Sequence, residues 1–184
     1  MAFTFARNGA AIFRSVKTLF SYLAGEARPH TQTYDYDRWL VTAALLTCVA
    51  TVHREMSEVR RKTLRIILQS RFGLDDHAVA RVLEEAAAVN RIAIDLYHFT
   101  HQLNELLDDE SRVQTVRMMW EVVYADGHAN EFEANIVWRA ADLLGVSSRQ
   151  RVELRQRVSA DHAALTRSAG VLPLASALAA AIVK

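Results

Sequence analysis

At 184 residues, the chain has room for one domain with a continuous apolar core. Its 51% hydrophobic and 23% charged content is the balance of a folded globular protein rather than a disordered one. Acids and bases are interspersed to a net charge of +1, so no global field draws in nucleic acid, which is not expected as a partner.

Two prolines and six glycines leave helix as the locally preferred state almost throughout, and no strand pattern competes. The expected fold class is all-α, a single-domain bundle of about seven to nine helices. Residues 10–24 carry Ile12, Phe13, Val16, Leu19, Phe20 and Leu23 on one helical face, with Arg14, Ser15, Lys17 and Ser21 opposite. This amphipathic basic face is read first as a cover for the bundle and second as a membrane-surface attachment. Arg14 and Lys17 interrupt the apolar stretch, so a secretory signal is not expected. Residues 26–33 read as a linker.

Short turn signals then divide the chain into expected helices near 37–53, 57–71, 76–89, 91–107, 110–125, 131–144 and 148–158. Gly73 and Gly145 each follow an apolar turn and precede Asp75 or Ser147, the pattern of a C-terminal glycine cap followed by an N-cap. Helix 91–107 has apolar residues on both faces and is expected to run through the centre. Residues 34–159 are thus read as the main helical domain, 1–33 as an N-terminal helix and linker, and 160–184 as a C-terminal apolar helix docked on it. Cys48 lies in the apolar run Leu45–Ala50, and a lone buried thiol fits a reducing compartment. No apolar run reaches the ~18 residues of a membrane span. The expected location is cytoplasmic, with peripheral attachment to the inner face of the membrane through residues 10–24 as the alternative.

Shifting the chain on itself by about 73 residues superposes Leu45-Leu46 on Met118-Met119, Val49 on Val122, Ser57 on Asn130 and Glu58 on Glu131. After one extra residue in the first copy, Phe72-Gly73-Leu74-Asp75 meets Leu144-Gly145-Val146-Ser147. Each copy reads helix, tight loop, helix, glycine cap, helix, which predicts two pseudo-symmetric halves. The second copy contains Ala125-Asp126-Gly127, the downstream Glu133 and the Leu144-Gly145 cap. Over roughly residues 37–158 this resembles the TerB-like family, named for tellurite-resistance proteins, whose hallmark is such an acidic turn, acid and cap. The resemblance implies a compact helical bundle linked to tellurite or other stress responses, with no enzyme activity established for the module. It places the acidic turn on Asp126 and Gly127 and the downstream acid on Glu133. In the first half the same turn falls on His53 and Arg54, a departure from acid and glycine.

Four candidate chemistries follow from the residues. Asp126, His128, Asn130 and Glu133 bring metal-ligating atoms into one loop and could hold a divalent cation weakly; the competing reading is structural, with Asn130 and Glu133 as a capping box. His53, Arg54, Arg60, Arg61, Lys62 and Arg65 cluster near the start of helix 57–71, either as a solvated face or as a patch for an anionic partner. His98, His101 and Glu105 share a helical spacing that could collect zinc, although no fourth ligand is visible. Hydrolase and nucleotide-binding signatures are absent, so an enzyme is not expected and no cofactor is firmly implied. The leading reading is a non-catalytic interaction or sensing module with an unidentified protein partner; a divalent-metal sensor at Asp126 and Glu133, or a membrane-attached scaffold, stand as alternatives.

Overall fold

The computed structural model describes residues 30–51, 55–92, 96–127 and 129–168, with side chains from Arg38 onward except at 88–92, His98 and Ser168. The N-terminal helix expected at 10–24 and the apolar tail after Gly170 lie outside the described residues, as do His53, Arg54 and His128.

Among the described residues the fold comprises seven α-helices and no strand: α1 His30–Thr51, α2 Glu58–Phe72, α3 Asp76–Ile92, α4 Leu96–Leu106, α5 Asp109–Tyr124, α6 Glu131–Leu143 and α7 Ser148–Ser168. Local chemistry sets most of the boundaries. Ser57 Oγ accepts from the Arg60 backbone N–H at 3.2 Å, Asp75 Oδ1 from Ala78 at 2.7 Å and Asp108 Oδ1 from Ser111 at 2.8 Å. Each satisfies an N–H that has no acceptor within its own helix. Gly73 ends α2 at φ 65°, a left-handed conformation that costs glycine little, and its N–H donates to the Gln69 carbonyl.

The repeat read from the sequence is visible in the element order. Helices α1, α2 and α3 correspond to α5, α6 and α7, with α4 between the two sets. Within each set the first helix packs against the second and third, and α1 also meets α5 across the bundle.

Three expectations need correction. The central element is α1 rather than helix 91–107: every residue from Leu40 to Ala50 is buried, and α1 touches α2, α3, α4, α5 and α6. Helix α4 is one-sided instead, burying Leu96, Phe99 and Leu103 while Tyr97 and His101 are exposed. Second, α1 begins at His30, inside the stretch read as a linker. Pro29 stands immediately before it in sequence, and no breaker follows, so Thr31-Gln32-Thr33 continues as helix. Third, α7 runs to Ser168 instead of stopping near 158, because neither glycine nor proline interrupts it before Gly170.

Candidate functional site

Ser57, just before α2, and Asp126, just after α5, meet where the two halves join, and one further side chain ties them together. Arg60 occupies the third position of α2, yet only 2% of the residue is exposed. Helical spacing explains this placement. Arg60 shares its face with Thr63, Leu64 and Ile67, all buried, so the turn of α2 carries the guanidinium inward.

Inside, Arg60 Nη1 donates to Glu133 Oε1 at 2.6 Å, and Nε lies 2.8 Å from Asp126 Oδ2. The first is a hydrogen-bonded ion pair; the second is a charge contact, since Nε makes no hydrogen bond. Longer donations run from Nη1 to the Ala50 carbonyl at 3.4 Å and from Nη2 to the Val123 carbonyl at 3.5 Å. These carbonyls close the last turns of α1 and α5, where the helix dipole is negative, so the cation sits among oxygens of matching sign. Residues 50 and 123 are themselves related by the 73-residue shift, as are Arg60 and Glu133. The guanidinium therefore reaches equivalent carbonyls of the two halves, with one half supplying the positive charge and the other both carboxylates.

The carboxylates are further fixed. Glu133 is fully buried, and its Oε2 accepts from the Asn130 backbone N–H at 3.3 Å while Asn130 Oδ1 accepts from the Glu133 N–H at 2.9 Å, a complete capping box. Asp126, with its side chain 26% exposed, accepts from Ser57 Oγ at 2.8 and 3.1 Å. The hydroxyl of Ser57 thus caps α2 and reaches across to the other half. Gly127 follows at φ 102°, a conformation that a side chain at this position would strain. His162 of α7 lies beside the Tyr124 ring, near the backbone of Ala125. Burial lowers the His162 pKa, and the Ala125 contact opposes that shift.

The structure thus brings two separate sequence candidates into one cluster. Asp126 and Glu133 of the proposed metal loop are paired with Arg60 of the proposed basic patch, and the Asn130 side-chain oxygen serves the helix cap. Arg60 does not belong to an exposed patch; Arg61, Lys62 and Arg65 do lie on the exposed face of α2, with Arg61 Nε 3.3 Å from Glu58 Oε1. On α4, His101 Nε2 is 3.8 Å from Glu105 Oε1 with both side chains well exposed. Among the described residues, no group of three or more His, Cys, Asp or Glu side chains is arranged to hold a metal ion. Cys48 is buried, which pushes its thiol up to about 11.

Sequence reasoning missed the inward turn of Arg60, the bridging role of Ser57 and the approach of His162. The first was detectable: the 60, 63, 64, 67 spacing puts Arg60 in line with buried residues, and the 73-residue shift pairs it with Glu133.

Two further side chains immediately precede members of the cluster in sequence. Val59 and Phe132, again related by the 73-residue shift, are 39% and 66% exposed at the second positions of α2 and α6, each preceded by an exposed glutamate, Glu58 or Glu131.

An all-helical bundle of two related halves, closed by a charge cluster at their paired loops, defines the class of protein. The family model described as tellurite resistance protein TerB matches residues 40–156, and the chain belongs to that family. Neither the curated proteins nor the solved structures give a match. Among the described residues, no helix is long and apolar enough to cross a membrane.

Proposed function

We propose that the domain is a non-catalytic interaction module serving tellurite-related or other stress responses, and that it engages a protein partner through the end of the bundle formed by the starts of α2 and α6. The observation that carries this reading is the exposure of Val59 and Phe132, each one residue before a member of the buried Arg60–Glu133 pair. Large apolar side chains that keep exposed surface beside a rigid charged centre can contribute to a recognition surface. The buried charges support the same reading. Arg60, Asp126 and Glu133 are engaged with one another, which suits a structural brace better than proton transfer or metal capture.

Tagged protein expressed at native level in tellurite-stressed cells should capture a defined partner. The Val59→Asp/Phe132→Asp double variant should lose that partner while keeping its helical circular dichroism. Recovery of the same proteins by both forms, or of nothing above background by the parent, would remove the proposal.

A further inference from the structure

A second surface lies along α7. This helix packs chiefly on α5 and only lightly on α6, which leaves a groove of about 470 Å³ between them. Tyr124 of α5 and Trp138 of α6 form its aromatic walls, with Trp138 half-buried and edge-on to Trp120 at 6.0 Å.

Helical spacing gives α7 two working faces. Val158 and His162, four residues apart, are buried in the bundle. Val152, Ser159 and Ala163, at intervals of seven and four, share a different strip with Ala160 beside it, and this strip lines the groove. Val152 is 46% exposed, and Ala160 and Ala163 are exposed as well. A helix face with only water beyond it is ordinarily polar, so this strip is suited to a further apolar element.

Charge and length select the occupant. The charged residue in the lining, Arg155, is already engaged: its Nε donates to the Tyr124 hydroxyl at 3.4 Å and its guanidinium lies 5.6 Å from the centre of the Trp120 ring. The groove therefore calls for no counter-charge. Residues 169–183, outside the described residues, contain no ionisable side chain, whereas the amphipathic face at 10–24 would bring Arg14 and Lys17 to an edge that is already positive. Val152 to Ala163 covers about 16 Å of helix, and residues 174–183 in helical form cover about 15 Å. Leu174, Leu178 and Ile182 then share one face. Ser168, where α7 ends, lies about 7.5 Å past Ala163, and residues 169–173 reach about 16 Å when extended, enough to turn back. Gly170 and Pro173 supply the break and the restart. A tether this short gives the tail a local concentration on the order of millimolar at the groove, an advantage that a free partner lacks.

We propose that residues 174–183 fold back antiparallel to α7 and dock in the groove between α6 and α7, with Leu174, Leu178 and Ile182 facing Tyr124, Trp138 and the Val152–Ala163 strip. This contact is separate from the partner surface at Val59 and Phe132 and does not depend on it.

The test uses the full chain with Cys48→Ala, so that an introduced thiol reports alone. Ala160→Cys places the thiol in the groove, and Gln150→Cys, exposed on α7 and outside the lining, is the reference. Adding Leu174→Asp/Leu178→Asp should speed maleimide labelling at Ala160→Cys at least about tenfold and leave Gln150→Cys unchanged. Adding Phe13→Asp/Phe20→Asp instead should leave both rates as they were. Oxidation of Ala160→Cys/Ala177→Cys at micromolar protein should give a monomer with no free thiol, because the returning register brings these positions together. Should the leucine variant fail to fold, the disulfide measurement decides alone. Equal labelling with and without the leucine substitutions, faster labelling at Ala160→Cys on adding the phenylalanine pair, or disulfides formed only between chains would each overturn the proposal.

Discussion

Replacing Arg60 by methionine keeps much of the apolar stem and removes the guanidinium, stranding the fully buried Glu133 carboxylate without its 2.6 Å partner. Breaking one side of a buried ion pair costs about 3–5 kcal/mol, because the surviving charge keeps its desolvation penalty and loses its compensation. The Asp126 contact adds little to this, since that carboxylate retains solvent and the Ser57 hydroxyl. Glu133→Gln should partly relieve the Arg60→Met variant: the neutral amide has no charge to strand, and its carbonyl oxygen can still serve the Asn130 N–H. The measurement is urea unfolding of the parent, both single variants and the double variant, followed by circular dichroism. The double variant should be more stable than Arg60→Met alone, with a coupling of about 1–3 kcal/mol. Costs that simply add, or an Arg60→Met loss below ~1 kcal/mol, would refute the view that a buried charge pair joins the halves.

Other expected outcomes concern titration and backbone geometry. Burial raises Glu85 to about 7, so the folded state holds its proton more tightly than the unfolded chain, and the associated stability is lost as pH rises from about 4.5 to about 7. Glu85→Gln should therefore stabilise the protein by ~1–3 kcal/mol at pH 8 and much less at pH 4, read from paired thermal melts. His162 has the opposite sign: its depressed folded pKa means that stability is fully present above about 6.5 and falls as pH drops below that value. His162→Gln should flatten the acid-side slope, measured against Glu85→Gln to separate the two titrations. Gly73→Ala places a methyl in open space but at φ 65°, so about 1 kcal/mol should be lost to backbone strain alone, seen as a lower urea midpoint with an unchanged m-value. Buried Cys48, with its thiol pushed up to about 11, should resist iodoacetamide at pH 8 in the folded protein and react once urea unfolds it.

What the sequence reveals of this molecule depends on how local the controlling physics is. Ser57, Asp108, Asn130, Gly73 and Gly145 act on their own helix ends, and the corresponding boundaries of α2, α5 and α6 fall within a residue or two of expectation. The extent of α7 is less legible, because Ser159 and Asp161 resemble a turn until neighbouring helices decide otherwise. The central role of α1 was hidden for a related reason. Its run from Leu40 to Ala50 shows no polar face by which periodicity could orient it, and only the assembled contacts show that it is enclosed. At the site, the acidic turn and capping box could be read from spacing, whereas the fate of Arg60 required knowing that residues 60 and 133 meet. An arginine three residues past a helix cap reads as solvated by composition alone.

The division of labour between Arg60 and Glu133 makes the halves non-interchangeable. A chain assembled from two copies of the first half would set guanidinium against guanidinium at its seam, and one assembled from two copies of the second would set carboxylate against carboxylate. Either duplicate would carry like charges in its dry interior, so the heterogeneity of the two sequences is itself a condition for closing this seam.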